Sequence, residues 1–442
     1  QGYNVIEDSK LDFHTSDQII SDVSRIGEIT GSTVAKEKYN ATGNDIVIAV
    51  VDTGVDFSNP DIQHSLARDE LNHPLMLDPD GQGIILTNAT FYANISQYDT
   101  IRNYTKPLLD NMTSSVYLTR DGVFLDIFQK GDGTTIQVYN SLFPQFGNSV
   151  IFNGTLSNDM KIGNSPTDFI KSKSGVYHLG VMYQGGLFGK IQVVPILVVD
   201  SITSGVYDTI IPDLSTSWQD YTKDDLDSTK SNYDFDFTDE TPIVLGSGNE
   251  FLVFDSDNDG KNDYSAGTFG AQVLDVYGVI KNNSTTIDDS LNAINGTLLP
   301  PIDSVGNFFG VMTDFMGHGT ASAASIISRG HESYDIYNDA KKYSITGVAP
   351  DAKILPVKAL WFGDTVYGWL WSAGFENAGN NWEFSGKPKV DIISNSWGIS
   401  NFPSSNSSPG MDILSLILSV LSTPYSLHDD YPGVTIISSA GN

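Results

Sequence analysis

Residues 45–51 read DIVIAVV, and Asp52-Thr53-Gly54 follows directly. An almost uninterrupted β-branched run of this length is typical of a parallel strand that is buried on both faces. Open α/β sheets place their functional groups at the carboxyl ends of such strands. The stretch therefore predicts an α/β fold with Asp52 at its functional edge.

Other apolar runs follow much later in the chain and repeat this pattern. The strand candidates are 352–357 (AKILPV), 390–394 (VDIIS) and 434–438 (VTIIS). Apolar residues at helical spacing occur at 320–328, 367–378 and 411–421. Strands that alternate with helices predict a doubly wound parallel sheet with helices on both faces.

The region from 75 to 299 has a different pattern. Segments such as 116–128, 135–139 and 175–183 alternate apolar and polar residues and are separated by Gly, Asn and Asp turns, which is typical of antiparallel strands. We interpret 75–299 as a β-rich insert domain. This insert would divide the α/β domain into two parts, 45–74 and 300–442. Residues 1–44 would form an N-terminal extension. The ends of the insert must then lie close together, and this costs little because loop-closure entropy grows slowly with length.

The composition excludes several classes of function. The 442-residue chain is 40% hydrophobic and has a formal net charge of −30, so its surface repels phosphate backbones and anionic membranes. Nucleic-acid binding is therefore not expected. The absence of cysteine excludes disulfides and thiolate chemistry. No apolar stretch approaches the ~20 residues that a membrane span requires.

Ten Asn-x-Ser/Thr sequons indicate a glycoprotein in an extracellular or cell-surface location. Chance is the alternative explanation, because Asn, Ser and Thr are abundant. The start at Gln1, without a leader, is expected of a mature secreted product. The sequons are Asn40, Asn88, Asn94, Asn103, Asn111, Asn153, Asn282, Asn283, Asn295 and Asn406.

Two motifs carry candidate catalytic groups. Asp52-Thr53-Gly54 is also the signature of aspartic peptidases, but that chemistry needs a second such loop, and the sequence has none. Gly317-His318-Gly319-Thr320 precedes a helix of small residues. Its glycines would allow close approach of neighbours, and Thr320 could cap the helix. A histidine in this setting has little role in core packing, so the motif favours a functional His318.

Two more motifs end strands, Ser394-Asn395-Ser396-Trp397-Gly398 and Ser439-Ala440-Gly441-Asn442. Together with the Asp and His motifs they resemble, over 34–60 and 311–442, the subtilisin-like serine peptidases (subtilases), in which the catalytic residues occur in the order Asp, His, Ser. Asp52 and His318 are 266 positions apart, which is similar to the spacing that large insertions produce in the pyrolysin and tripeptidyl-peptidase-like branch.

The resemblance implies a role for each motif. Asp52 would orient the imidazole, and His318 would act as general base and then as general acid. Asn442 would donate to the oxyanion. Backbone pairing with an extended substrate is implied for Ser396, Trp397, Gly398 and, on a second edge, Gly363.

The family's nucleophile motif, Gly-Thr-Ser-Met, does not occur in the sequence. The resemblance therefore implies a secreted endopeptidase whose serine lies on a complementary C-terminal chain or on an omitted C-terminal piece. The α/β domain would then be incomplete, and this chain alone would be inactive. One alternative is a catalytically inactive binding or cell-surface scaffold with the subtilase fold. Another is a calcium-binding adhesion module in which the insert is the functional part.

Residues 255–263 read DSDNDGKND. They supply oxygens at loop positions 1, 3, 5 and 9, with glycine at position 6, which is the spacing of a calcium loop. Position 12 is Ala266 instead of glutamate, so an EF-hand helix pair is not expected. An acidic surface turn is the alternative. The prediction is a structural calcium ion, with no catalytic cofactor, bound by Asp255, Asp257, Asp259 and Asp263.

Overall fold

The structure is a computed structural model of the 442-residue chain. It describes residues 11–12, 26–79, 81, 83–87, 89–92, 115–119, 123–130, 133–140, 150–152, 172–185, 191–212, 237, 240–254, 264–273, 276–281, 297–314, 316–333, 344–377, 381–399 and 412–439. The chain divides into two compact units. The first comprises Gln1–Asp69, Pro74–Asp80 and Met312–Asn442, and the second comprises Glu70–His73 and Gly81–Val311.

The first unit is the α/β unit. Its helices are α1 (Ile26–Thr30), α2 (Ser32–Tyr39), α3 (Pro60–Gln63), α4 (His318–Ile327), α5 (Phe362–Ser372) and α6 (Ile413–Ser422). Its parallel strands are β1 (Val47–Asp52), β2 (Leu77–Asp78), β3 (Lys353–Lys358), β4 (Ile392–Asn395) and β5 (Thr435–Ser438). The predicted α/β fold is confirmed.

The strands of this unit pair in the order β2-β3-β1-β4-β5, and each pairing is parallel. β1 therefore lies inside the sheet, where Ala49 and Val51 have no exposed surface. Both α4 and α5 contact β1. Burial on both faces explains why the sequence of β1 is a continuous apolar run instead of an alternating one.

The helix predicted at 367–378 differs from the structure. α5 begins at Phe362 and ends at Ser372, and a short hairpin of Phe375–Asn377 with Trp382–Phe384 follows. Gly374 ends the helix with φ of +88°, in the left-handed region that favours glycine. A Cβ there would lie 2.2 Å from the carbonyl oxygen of Lys387, so only glycine permits this turn.

The second unit is built mainly from antiparallel strands. One of its sheets has the order Ile243–Val244, Thr209–Pro212, Ile191–Val199, Val176–Gly185, Ala89–Tyr92, and another has the order Phe251–Phe254, Tyr264–Phe269, Phe308–Met312, Ile84–Leu86. Its other strands are Ser115–Thr119, Val123–Lys130, Gly133–Asn140, Val150–Phe152, Ala271–Val273, Val276–Lys281 and Leu298–Leu299. The β-rich pattern read from the sequence agrees with these strands.

Apolar side chains from both of these sheets form one core. Phe269 and Phe309 meet edge to face, with ring centroids 5.9 Å apart. Ile196, Val198 and Ile210 pack in the same cluster and have no exposed surface. This unit therefore has a hydrophobic core of its own.

In the part of the chain that the structure describes, no helix has both the length and the apolar character needed to cross a membrane.

Candidate active site

Asp52 is the last residue of β1, the strand that lies between β3 and β4. Its side chain is completely buried. The Oδ1 atom accepts a hydrogen bond of 2.8 Å from the backbone N–H of Thr53, and Oδ2 accepts one of 3.1 Å from the hydroxyl of Ser322. These bonds hold the carboxylate in one orientation at the carboxyl edge of the sheet.

His318 is the first residue of α4, and its Nδ1 lies 2.7 Å from Oδ1 of Asp52. A carboxylate only accepts hydrogen bonds, so Nδ1 carries the donated proton and Nε2 is left for other chemistry. The hydrogen bond to Asp52 raises the pKa of the imidazole above its usual value. Burial opposes this effect, and the negative charges of Asp52 and Asp314 add to it. The predicted approach of Asp52 and His318 is confirmed.

Glycine at two positions makes this approach possible. A Cβ on Gly319 would lie 2.0 Å from the carbonyl oxygen of Gly54 and 3.0 Å from Cβ of Asp52. Gly54 itself has φ of +108°, a conformation that other residues rarely adopt. The start of α4 can therefore lie directly against the end of β1.

The predicted cap of this helix is wrong. Gly317 occupies the N-cap position, and Thr320 lies inside the first turn. The hydroxyl of Thr320 donates to Asp314 at 2.6 Å and accepts from the N–H of Asp56 at 2.9 Å. In this turn the N–H of Thr320 donates to Asp314 and the N–H of Gly319 donates to the hydroxyl of Thr53. Asp314 lies four residues before His318, and an acidic residue at that distance is the sequence signal that could have indicated it.

Ser396, Trp397 and Gly398 follow β4 at the same edge of the sheet, and all three are partly buried. The indole N–H of Trp397 donates to the carbonyl oxygen of Val51 at 3.1 Å. Its ring stacks on Trp369, with centroids 5.9 Å apart. The segment is therefore held next to the end of β1, beside Asp52.

Asn395 also supports this segment, although no role was assigned to it from the sequence. Its side chain is buried, accepts from the indole N–H of Trp369 at 2.9 Å, and donates to the carbonyl oxygen of Ile437 at 3.2 Å. It thereby connects α5, β4 and β5. A polar residue at the end of a buried strand was the available signal.

A short piece of the N-terminal region pairs with Gly398. Asp12 and Gly398 exchange backbone hydrogen bonds of 2.8 and 3.0 Å in an antiparallel bridge. On the other side, the N–H of Leu11 donates to the carbonyl oxygen of Leu360 at 2.9 Å. The segments at 360 and 398 thus form the two edges of a groove that holds an extended chain.

Gly363 does not lie on an extended edge, in contrast to the expectation. It is an exposed residue in the first turn of α5, and helical backbone cannot pair with a strand. The backbone group that faces residues 11–12 is the carbonyl of Leu360 instead.

Several predicted site residues lie outside the described residues. They are Asn442, Asp255, Asp257, Asp259 and Asp263. Among the residues that are described, no group of three or more His, Asp or Glu side chains is arranged to hold a metal ion.

Residues 43–442 match the model of the subtilase family. The chain belongs to the subtilase family. No curated protein and no solved structure was found to match it. Membership in this family makes the protein a serine-peptidase hydrolase of the subtilisin-like α/β fold, whose substrates are proteins or peptides.

Proposed function

We propose that this subtilase is a secreted endopeptidase in which Asp52 orients the imidazole and His318 is the general base. The observation that carries the proposal is the 2.7 Å contact between Nδ1 of His318 and Oδ1 of Asp52 at the carboxyl edge of the sheet. With Nδ1 committed to the carboxylate, Nε2 takes the proton of a serine hydroxyl and later returns it to the leaving amine. The chemistry passes through an acyl-enzyme.

The groove between the edges at 360 and 398 supports internal cleavage of extended polypeptides. The N–H and carbonyl of Gly398 and the carbonyl of Leu360 form backbone hydrogen bonds with Leu11 and Asp12, and this arrangement supports binding of a substrate strand. Pairing of this kind recognises main chain, with specificity added by side-chain pockets. Ser396, Trp397 and Gly398 form one edge of the proposed substrate site, and Leu360 contributes the other.

The nucleophilic serine is proposed to come from a complementary polypeptide segment that these residues do not include. The support is the absence of a Gly-Thr-Ser motif from residues 1–442. Asn442 is proposed as the side-chain donor to the oxyanion. Assignment to the pyrolysin-like branch stays a prediction that rests on the 266-residue spacing.

An extracellular location and glycosylation are also part of the proposal. Of the ten sequons, Asn40 is the one that falls within the described ranges, and it is exposed at the end of α2. An exposed asparagine on a helix C-cap is accessible to a glycosyl transferase. Digestion with a glycosidase, followed by intact-mass measurement, tests this part.

The test of the catalytic proposal uses the protein isolated with all of its associated polypeptide. A fluorophosphonate probe should label one serine on a segment outside residues 1–442, and peptide hydrolysis should be lost in parallel. The variant Asp52→Asn should lower kcat by roughly four orders of magnitude, because the imidazole is left in the wrong tautomer. Asp351→Asn, a surface change in the same unit, serves as the matched control.

A folded protein that neither reacts with the probe nor cleaves peptides would contradict the proposal. That outcome would favour the alternative of a scaffold that keeps the subtilase fold for binding.

A further inference from the structure

Asp314 lies in the loop before α4 and binds several groups around the candidate active site. Its Oδ1 accepts hydrogen bonds from the hydroxyl of Thr53 at 2.7 Å and from the backbone N–H groups of Gly317 and Met316 at 2.9 and 3.2 Å. Its Oδ2 accepts from the N–H and the hydroxyl of Thr320, at 2.8 and 2.6 Å. Both carboxylate oxygens are therefore engaged with donors.

These contacts connect Asp52 and His318 indirectly, in addition to their direct hydrogen bond. Thr53 directly follows Asp52, and Gly319 directly follows His318. The hydroxyl of Thr53 accepts from the N–H of Gly319 at 3.0 Å while it donates to Asp314. The end of β1 and the first turn of α4 are thus joined through one carboxylate.

We propose that Asp314 is a positioning residue for the proposed peptidase reaction, which holds the imidazole of His318 against Asp52 through Thr53 and the first turn of α4. It acts on catalysis through its neighbours and does not itself touch the substrate. Because small displacements of reacting groups cost large factors in rate, a residue that fixes this geometry is expected to affect kcat more than KM.

A second effect of Asp314 is electrostatic. The charged groups that act on His318 are Asp52, at the end of β1, and Asp314, in the loop before α4, and the charge of each raises the pKa of the imidazole. This gives a signature that a purely structural role would not have. Removal of the charge of Asp314 should lower the pKa of His318.

The variant Asp314→Asn keeps the size of the side chain but replaces one acceptor oxygen with an NH₂ group. Since Oδ1 accepts three hydrogen bonds and Oδ2 accepts two, at least one backbone N–H loses its acceptor in either orientation of the amide. We expect kcat to fall roughly ten- to a hundredfold with KM changed less than about twofold. The acid limb of the kcat/KM profile should move to lower pH.

The variant Thr53→Val separates the two effects, because it removes the bridging hydroxyl and leaves the charge of Asp314 in place. Thr53→Val should lower kcat, but it should move the acid limb of the kcat/KM profile less than Asp314→Asn does. Thr53→Ser restores the hydroxyl and should recover most of the activity. Asp351→Asn is the control for loss of a surface carboxylate, and it should resemble the parent in all of these measurements.

Direct titration of the His318 imidazole by NMR completes the test and does not depend on activity. Its signal is assigned among the seven histidines by its absence in His318→Ala. An unchanged His318 titration in folded Asp314→Asn would overturn the proposal, even if the protein proves not to be a peptidase. If Asp314→Asn does not fold, unchanged kcat in Thr53→Val would overturn it instead. The proposal rests on the proposed function only where it concerns kcat.

Discussion

At the scale of single residues, the site depends on one imidazole that interacts with carboxylates at the end of a buried strand. The hydrogen bond from His318 to Asp52 makes the charged form of the imidazole more favourable in the folded protein than in the unfolded chain. Since the ordinary pKa is 6.5 and the folded value is higher, protonation and folding are coupled.

This coupling predicts a pH-dependent contribution to stability. The contribution is fully present below pH 6.5, and it is lost as the pH rises through the raised pKa of His318 in the folded state. Asp52→Asn removes the carboxylate whose hydrogen bond is the main cause of the raised pKa of His318. The difference in Tm between parent and Asp52→Asn should therefore be larger at about pH 5.5 than at about pH 8.5.

Thermal unfolding, monitored by circular dichroism at the two pH values, measures these Tm differences. Asp412→Asn is the reference, because hydrogen bonds from Ser415 lower the pKa of this N-cap carboxylate below the tested range, and its Tm difference should be the same at both values. Equal Tm differences for Asp52→Asn at the two pH values would contradict the prediction.

Residue patterns in the sequence identified the site only in part. Asp52 and His318 were predicted because a carboxylate after a buried strand and a histidine between glycines are both unusual in local sequence. Asp314 and Asn395 were not, because their roles come from backbone N–H and carbonyl groups that only the folded turns bring near them. An acidic residue before a helix and a polar residue at the end of a buried strand are sequence signals, but they do not identify which groups the fold brings to them.

At the scale of elements, the close packing of α5 on β3 depends on one glycine. A Cβ on Gly368 would lie 2.4 Å from Cγ1 of Val357, a side chain with no exposed surface. Strands β1, β3, β4 and β5 were predicted to within two residues, because burial on both faces leaves a continuous apolar run. Strand β2 (Leu77–Asp78) was not predicted, because two residues are too short to give such a pattern, and they were assigned to the insert from the sequence. The end of α5 was not, because the helical spacing of apolar residues continues past Gly374.

Gly368→Ala should therefore destabilise the protein. Overpacking costs about 1–3 kcal/mol, and the better helix propensity of alanine returns up to about 1 kcal/mol. Val357→Ala removes the methyl group that the new Cβ would strike. In urea unfolding, the double variant should be more stable than the sum of the two single changes predicts. If the effects of Gly368→Ala and Val357→Ala on stability are additive, α5 moves away from Val357 without strain.

The pairing of residues 11–12 with the groove leads to another prediction at this scale. A substrate strand and this segment cannot occupy the same backbone groups of Leu360 and Gly398. Asp12→Pro removes the N–H that donates to Gly398, and so weakens the internal strand. The KM for peptide substrates should fall, with kcat nearly unchanged.

Asp12→Ala is the matched control, because it keeps the N–H group and should retain the parent KM. If Asp12→Pro and Asp12→Ala both behave like the parent, the segment does not compete with substrate. If both lower KM, the side chain of Asp12, and not the backbone pairing, is responsible.

At the scale of the whole molecule, an acidic chain with a formal charge of −30 repels itself, and bound cations would reduce this repulsion. The loop at 255–263 has calcium spacing, and calcium binding there stays a prediction from the sequence. A ligand that binds only the folded state raises its stability by mass action.

Addition of calcium to chelated protein should therefore raise Tm, and magnesium should do so less, since it prefers a smaller octahedral site. Asp257→Asn and Asp259→Asn, each keeping the size of its side chain, should reduce the calcium-dependent shift. A shift that these variants leave intact would place the ion elsewhere, and no shift at all would exclude a stabilising calcium ion.

The 266-residue distance along the chain between Asp52 and His318 also has a consequence in time. A ribosome adds about 5–20 residues per second, so His318 is synthesised about 13–53 s after Asp52. Throughout that interval the nascent chain contains Asp52 but not His318. If His318 is the general base, as proposed, the order of synthesis alone delays its chemistry until residue 318 has been added.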